Sequence, residues 1–554
     1  MATEGVDQVR DGATDGERDR ERSLPLVLAS AAVAAAVLSP LLWLVLRAAD
    51  VGVGGAVDIL TRPSSVDILL NSLALVALVT VASVALGVPL AVLTVQTDLP
   101  FRRFWTVVLA LPLVIPSYIG AFAYVSAPGA LADALAPLGV DSVPTIYGLP
   151  GAAFVLTLYI YPYVFITTRA ALLSMDATLV EAARTLNHSR VSAFRRVTLP
   201  RVLPAVAAGG LLVALYTLSD FGTPAIMRVD VFTRSIYVAY NTFARDVAAL
   251  LSLQLLAVTA VILAVERRVG SATRADTAHA TRSAGRGSVQ MRLGAWTLPA
   301  LALCTTVAVL ALVVPLGVLL LWLGRASPGY AGGFQFSWVY GLNSVYVSTL
   351  AALVAVVAAL PVAYLSARSR SPLATLFDRA TYVGYAVPGV VLGLALVYFG
   401  SSVASFVYQT VPLLVFAYVV RFLPQAVGAT RSSVLQVDPK LVEAARSLGE
   451  SSLGSFRRVT LPLIWPGVAA GAALVFLTTM KELPATLLLQ PTGSTFVARL
   501  VGGTSPTGFD TLVTYIWLVQ EAGHYGQAAV PALVLVGVSA VSMLVILARE
   551  RYDV

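Results

Sequence analysis

Two short segments hold the residues best suited to chemistry, and they are near copies of each other. Residues 180–200 read VEAARTLNHSRVSAFRRVTLP and residues 442–462 read VEAARSLGESSLGSFRRVTLP, identical at 14 of 21 positions, where unrelated segments share roughly one or two. Each sets one carboxylate, Glu181 or Glu443, beside two alanines, Ala182-Ala183 or Ala444-Ala445. On a helix, paired alanines remove side-chain bulk, so a partner's groove can approach the backbone, while the carboxylate offers a fixed charge to a partner's arginine. That chemistry is docking rather than catalysis. One Glu-Ala-Ala is explained by a solvated helix face; two in register ask for a shared partner.

A second set of ionisable residues also recurs. Asp220 in SDFGTPAIM (219–227) and the pair Lys481 and Glu482 in KELPATLLL (481–489) stand at equivalent places, each at the edge of a long apolar run. Such groups are candidates for a pathway or gate, and the alternative is a helix end with an interhelical pair, for instance Lys481 with Asp220. Arg421, deep in another apolar run, calls for a backbone carbonyl or a carboxylate. His188, His279 and His524 are too scattered for a metal centre, and Cys304, the single cysteine, lies in an apolar run and can form neither a disulfide within the chain nor a thiolate site. No catalytic cluster, metal-ligand set or resident cofactor is therefore expected. The only lysines, Lys440 and Lys481, do not follow glycine, so the sequence holds no P-loop and any ATP must be hydrolysed by another chain.

The elements that position these residues are read from composition. Of 554 residues, 58% are hydrophobic and 12% charged, with mean hydropathy +0.83, against roughly 25% charge in soluble domains. This excludes an ordinary soluble enzyme and predicts an all-α polytopic membrane protein, since apolar runs of helical-span length alternate with arginine-rich breaks and barrel alternation is missing. Twelve spans are expected, near 24–46, 68–95, 104–125, 146–168, 202–219, 247–265, 296–323, 342–366, 380–399, 406–429, 463–480 and 528–548. The net charge of +8 reports cytoplasmic loops rather than nucleic-acid binding, and placing the N-terminus in the cytoplasm puts most lysines and arginines inside.

The spans fall into two halves. Residues 1–23 form a polar cytoplasmic tail, 24–265 a first half with its docking loop at 176–200, 266–295 a Gly/Ser/Ala/Arg-rich flexible linker, and 296–554 a second half with its loop at 438–462. Asn71-Ser72 returns as Asn343-Ser344, Pro89 as Pro361, Pro100 as Pro372 and Pro116 as Pro388, each 272 residues later, and the spacing falls to 262 at the loops. Six spans separate equivalent positions, so the halves are parallel six-helix repeats and the translocation path is expected between them. In the second loop Asp438 can cap a helix, Pro439 can occupy its first turn and Gly449 can stop it; Asp176 and Asn187 take those places in the first.

These loops resemble the EAA motif of binding-protein-dependent ABC importer permeases: EAA, three residues, Gly, nine residues, an aliphatic, one residue, Leu-Pro. Glu443, Ala444, Ala445, Gly449, Val459, Leu461 and Pro462 fit throughout; Glu181, Ala182, Ala183, Val197, Leu199 and Pro200 fit with Asn187 in place of glycine. The resemblance covers roughly 65–265 and 340–548. It implies the MetI-like permease fold in a prokaryotic plasma membrane, with each loop a coupling helix seated on a cytoplasmic ATPase. It further implies two copies of that ABC ATPase, which bind ATP and Mg, and an extracytoplasmic solute-binding protein. KELPATLLL, with FDTLVTYIW (509–517) and EAGHYGQAA (521–529), is similar to fused permeases of ferric-iron importers. Thiamine permeases are fused in the same way, and putrescine, sulfate and phosphonate permeases share the general pattern, so these cargoes stay open. Because a hard Fe3+ would arrive on a separate carrier, the chain needs no ligand set of its own, and Tyr118, Tyr124, Tyr385 and Tyr398 read as packing residues. A secondary transporter with two six-span halves would share the hydropathy but has no reason to repeat a docking loop.

Overall fold

The structure is a computed structural model that describes residues 4–135, 145–175, 185, 192, 194–280, 291–325, 336–369, 371–492 and 509–550, with backbone alone for 4–23, 130–135, 194, 266–280 and 542–550. Runs of Leu, Val and Ala in a bilayer have no water to satisfy their peptide groups, and the helix satisfies them internally. Among the described residues there is no β-strand, only an isolated bridge between Thr97 and Met291. Among the described residues, nine helices are long and apolar enough to cross a membrane, or eleven if two bent helix pairs each count as one span. The chain is an all-α polytopic membrane protein.

The first repeat begins with α1 (Glu4–Ala49), α2 (Gly52–Thr61) and α3 (Pro63–Gln96). The run expected as a straight span at 104–125 is broken: α4 (Arg102–Ala110) tightens through Leu111–Val114, and α5 (Ser117–Leu135) leaves at 89°. Then come α6 (Gly148–Ser174), a π-turn at Phe194–Thr198, α7 (Leu199–Ser219), the short α8 (Gly222–Ile226) and α9 (Phe232–Asn241), and α10 (Arg245–Ala280). After α11 (Thr297–Ala308) and α12 (Val314–Gly324), the second repeat retraces this order in α13 (Trp338–Arg368) and a second broken span, α14 (Pro372–Ala386) with α15 (Gly389–Ser402) at 101°. It continues in α16 (Val411–Gln436), α17 (Pro439–Ser447), α18 (Ser452–Ser455), a π-turn at Phe456–Thr460, α19 (Leu461–Met480), α20 (Pro484–Leu488), α21 (Leu512–Glu521) and α22 (Tyr525–Glu550). α22, 26 residues long, stands where the twelfth span was expected.

Both breaks have one cause. Ile115 and Val387 precede Pro116 and Pro388 and are extended (φ −83°, ψ 122° and φ −79°, ψ 121°), because the proline ring disfavours helical backbone before it and removes an N–H. The linker also differs from expectation. α10 runs on to Ala280 through a stretch rich in the helix formers Ala and Arg, so the first half of 266–295 is helical rather than coil. The chain is pinned again at Met291, whose N–H donates to Gln96 (2.7 Å) and whose carbonyl accepts from Asp98 (3.2 Å).

The chain divides into two compact units that do not coincide with the sequence halves. One comprises residues 1–46 and Val339–Thr511, the other Arg47–Trp338 and Leu512–Val554. In the first, α1 packs on second-repeat helices, with the Trp43 and Phe399 rings 5.4 Å apart. Its most enclosed span is α16, 67% buried against 22% for Leu24–Ala49. In the other, α6 is the most enclosed span (61%), Tyr124 donates to the Leu310 carbonyl (2.7 Å), and the Phe122 and Tyr525 rings stand 5.7 Å apart.

The repeat survives in detail. The Asn71 side-chain amide donates to the Asp230 carbonyl (3.3 Å), and Asn343 donates to that of Asp510 (2.9 Å), so the recurring Asn-Ser pairs each tether the excursion that follows α8 or α20. Spacing is 262 between α8 and α20 but 280 between Asp230 and Asp510, which places 18 additional residues of the second repeat between α20 and α21.

Candidate functional site

The second docking loop is described in full. Asp438 caps α17 by accepting the Lys440 N–H (3.0 Å), and Pro439 occupies the first turn, where its missing N–H costs nothing. The helix ends in a Schellman motif: Glu450 N–H donates to the Ala445 carbonyl (3.1 Å) and Gly449 N–H to that of Arg446 (3.0 Å). Gly449 sits at φ +89°, the left-handed backbone that a Cβ penalises. Beyond the stop, Ser451 caps α18 by accepting the Gly454 N–H, Arg446 reaches the Ser452 hydroxyl (2.8 Å), and Arg458 pairs with Glu450. The loop is thus braced by its own polar residues.

Its outward face is a mixed one. Glu443, Ala444 and Gly449 are exposed, Ala445 is buried, and Glu443 forms no ion pair among the described residues. Leu441, Leu448 and Leu453 are exposed beside them, Leu448 at 86%. The inward face joins the spans. Val434 and Val437 pack with Ile464 and Val468, and Tyr364 and Phe456 close the cluster with rings 5.5 Å apart. Arg368, at the end of α13, donates to the Val437 carbonyl (2.9 Å). α17 packs on the π-turn Phe456–Thr460, whose Phe456 joins this cluster of α13, α16 and α19. In the first loop, Glu181, Ala182, Ala183 and Asn187 lie outside the described residues. The flanking π-turn does not, and Phe194–Thr198 has the same sequence and backbone as Phe456–Thr460.

The recurring carboxylates sit at matching places with different partners. Asp220 follows α7 and accepts from the Ser117 hydroxyl (2.6 Å) and the Thr223 N–H (3.0 Å). Glu482 follows α19, is buried, accepts the Ala485 N–H (3.3 Å) and meets Arg421 Nε at 3.3 Å. Each acid thus receives the peptide N–H three residues on, at the start of α8 or α20. The longer glutamate fits because Gly389 stands where the first repeat has Ser117: a Cβ there would lie 2.2 Å from Glu482 Oε1 and 2.7 Å from Arg421 Nη1. Arg421 in turn replaces Tyr159, so Ser, Asp and Tyr in one repeat answer to Gly, Glu and Arg in the other. Arg421 also donates to the Val387 carbonyl (3.2 Å), just before the break in the span, so it meets both kinds of partner foreseen for it. Lys481, partly buried, closes the last turn of α19 with its N–H on the Thr478 carbonyl (3.3 Å). Sequence reasoning passed over Ser117 and Gly389, although each directly follows one of the prolines that mark the repeat.

Comparison with known proteins fits this geometry. The family model described as binding-protein-dependent transport system inner membrane component matches twice, over residues 83–273 and 355–551. The Fe(3+)-transport system permease protein of Haemophilus influenzae is 32% identical over 501 residues, 90% of this chain and 92% of that one. The putative ferric transport system permease protein of the same organism is 25% identical over 80% of this chain and 73% of its own length. A probable molybdenum ABC transporter permease protein of Haloferax volcanii is 32% identical, but over 37% of this chain and 72% of its own.

Proposed function

The chain belongs to the family of binding-protein-dependent transport system inner membrane components, and we propose that it is the permease of an ATP-driven importer whose cargo is ferric iron. The observation that carries the cargo is length: the likeness to an Fe(3+)-transport permease runs through both repeats and nine-tenths of the chain, whereas the likeness to a molybdenum permease spans less than the length of one half.

In this reading an extracytoplasmic binding protein delivers the solute, and two copies of a cytoplasmic ABC ATPase, holding ATP and Mg, drive the cycle. Glu181, Ala182, Ala183 and Asn187 form one coupling site; Glu443, Ala444, Ala445 and Gly449 form the other. The exposed leucines and the free carboxylate of α17 suit an ATPase cleft that closes on nucleotide binding, and the core beneath α17 carries that closure into the spans. Arginines flanking both loops, Arg195-Arg196 and Arg457-Arg458, favour the cytoplasmic side for them and hence for both termini. Asp220 and Glu482, tied to the helix starts that follow α7 and α19, serve as structural latches of the pathway, with Lys481 beside the second.

The test is ATP-dependent uptake of radiolabelled ferric iron by cells with and without this chain, beside labelled thiamine. Iron uptake lost with the chain is the expected result. Unchanged iron uptake with lost thiamine uptake would overturn the cargo and leave the permease assignment intact.

A further inference from the structure

The unit built from Arg47–Trp338 and Leu512–Val554 holds an open cavity of about 310 Å3, near the lower end of small-molecule sites. Its chemistry comes from Tyr147, Arg228, Arg234, Tyr237, Glu521 and Tyr525. Tyr147 precedes α6, Arg228 follows α8, Arg234 and Tyr237 lie within α9, Glu521 ends α21 and Tyr525 opens α22. The 27 residues of α6 rise about 40 Å, so the cavity, at its Tyr147 end, and its far end at Ser174 belong to opposite membrane faces. On the reading above, the cavity faces outward.

The donors outnumber the acceptors. Arg228 lies over the Tyr147 ring, 5.2 Å from its centroid, and has no ion pair among the described residues. Its backbone is held at φ 58°, a left-handed conformation that residues with a Cβ seldom adopt, by the flanking bonds from Gly148 N–H to the Met227 carbonyl (2.9 Å) and from Val229 N–H to that of Pro224 (2.9 Å). Arg234 shares its charge with Asp230 one turn away. Burial pushes the Tyr237 phenol up, so it remains an O–H donor. With Arg234 held by Asp230, the Arg228 guanidinium is the cation of the lining left without an ion pair among the described residues, beside the single lining carboxylate of Glu521. Guanidinium N–H and phenol O–H groups lining one space match an anion with several oxygens.

We propose that this cavity binds a small multivalent oxyanion of the phosphate or polycarboxylate class, arriving free or as the coordinating anion of ferric cargo. The second repeat has Gln490 at the place of Arg228, so the site is confined to one half of the transporter. Only the choice of arriving complex rests on the ferric reading; the anion site rests on the cavity itself.

The experiment measures equilibrium dialysis of 32P-phosphate and 14C-citrate, each with and without ferric iron, against the full-length chain in neutral-lipid nanodiscs. Saturable binding is expected to weaken about tenfold to a hundredfold in Arg228→Gln, the scale of one lost charged hydrogen bond. Arg228→Lys should recover part of it, and Arg102→Gln, on α4 outside the cavity, should bind as the unaltered chain does. Tighter binding of citrate with iron than without identifies the ferric complex as the occupant; equal binding identifies the free anion. No saturable binding of either anion, or equal affinity in Arg228→Gln, overturns the proposal. Anion binding that persists while iron uptake proves independent of the chain would remove the ferric reading and leave the site standing.

Discussion

Replacing Arg421 by tyrosine, the residue at the equivalent place in the first repeat, should destabilise the unit that contains it, and two further exchanges should restore it. The Arg421 and Glu482 side chains are 14% and 7% exposed, with Nε and the carboxylate 3.3 Å apart. Removing one partner strands a buried charge, which costs about 3–5 kcal/mol. The Val387 carbonyl loses its donor as well, adding about 1 kcal/mol. At roughly 2–4 °C per kcal/mol for a unit of this size, Arg421→Tyr should lower the melting midpoint by roughly 10 °C or more. Glu482→Asp withdraws the carboxylate by one methylene, and Gly389→Ser supplies the hydroxyl that Ser117 gives Asp220 at 2.6 Å. Gly389→Ser alone should destabilise, because its Cβ would meet Glu482 Oε1. The triple variant should melt within about 3 °C of the parent, since the three positions share one network and their effects are not additive. The assay is thermal unfolding of the full-length chain in micelles, read as the monodisperse fraction on a sizing column. An Arg421→Tyr midpoint equal to the parent's, or a triple variant no more stable than Arg421→Tyr, would refute the compensation.

Two further outcomes concern the loops. Gly449→Ala should cost about 1–2 kcal/mol at the left-handed stop of α17 and reduce ATPase stimulation by the permease, whereas Gly449→Asn should be nearly neutral, as Asn187 in the first loop suggests; equal coupling in the alanine variant counts against the stop. Glu181→Ala with Glu443→Ala should cut co-purification of the ATPase and uptake while leaving membrane insertion unchanged, and full transport in that double variant would sink the docking assignment.

Much of the fold was legible because the sequence states it twice. In the second of the two matched segments, Asp438, Pro439 and Gly449 marked the ends of α17 by their own backbone chemistry. The broken spans were not read, although Pro116 and Pro388 were noticed, because hydropathy measures how long a run is apolar and not whether it keeps one direction. The partners of Asp220 and Glu482 were out of reach for another reason. A serine or a glycine after a proline carries no periodic signal, and its meaning depends on which acid the fold brings opposite. The cavity lined by Arg228 and Tyr147 joins residues 400 positions apart in sequence, from Val125 to Tyr525, and no local pattern announces it.

The assignment of α1 to the unit of residues Val339–Thr511 also sets a schedule for synthesis. Trp43 meets Phe399, and Val37 borders Gly384, so this hydrophobic helix leaves the ribosome some 350 residues ahead of its packing partners. At about 5–20 residues per second, that helix waits roughly 20–70 s in the bilayer before they are made. The small exposed Leu- and Ala-rich surface of α1 is tolerable to lipid during that interval, and a polar substitution at Val37 or Trp43 would be felt first as a defect in membrane biogenesis, before any defect in transport.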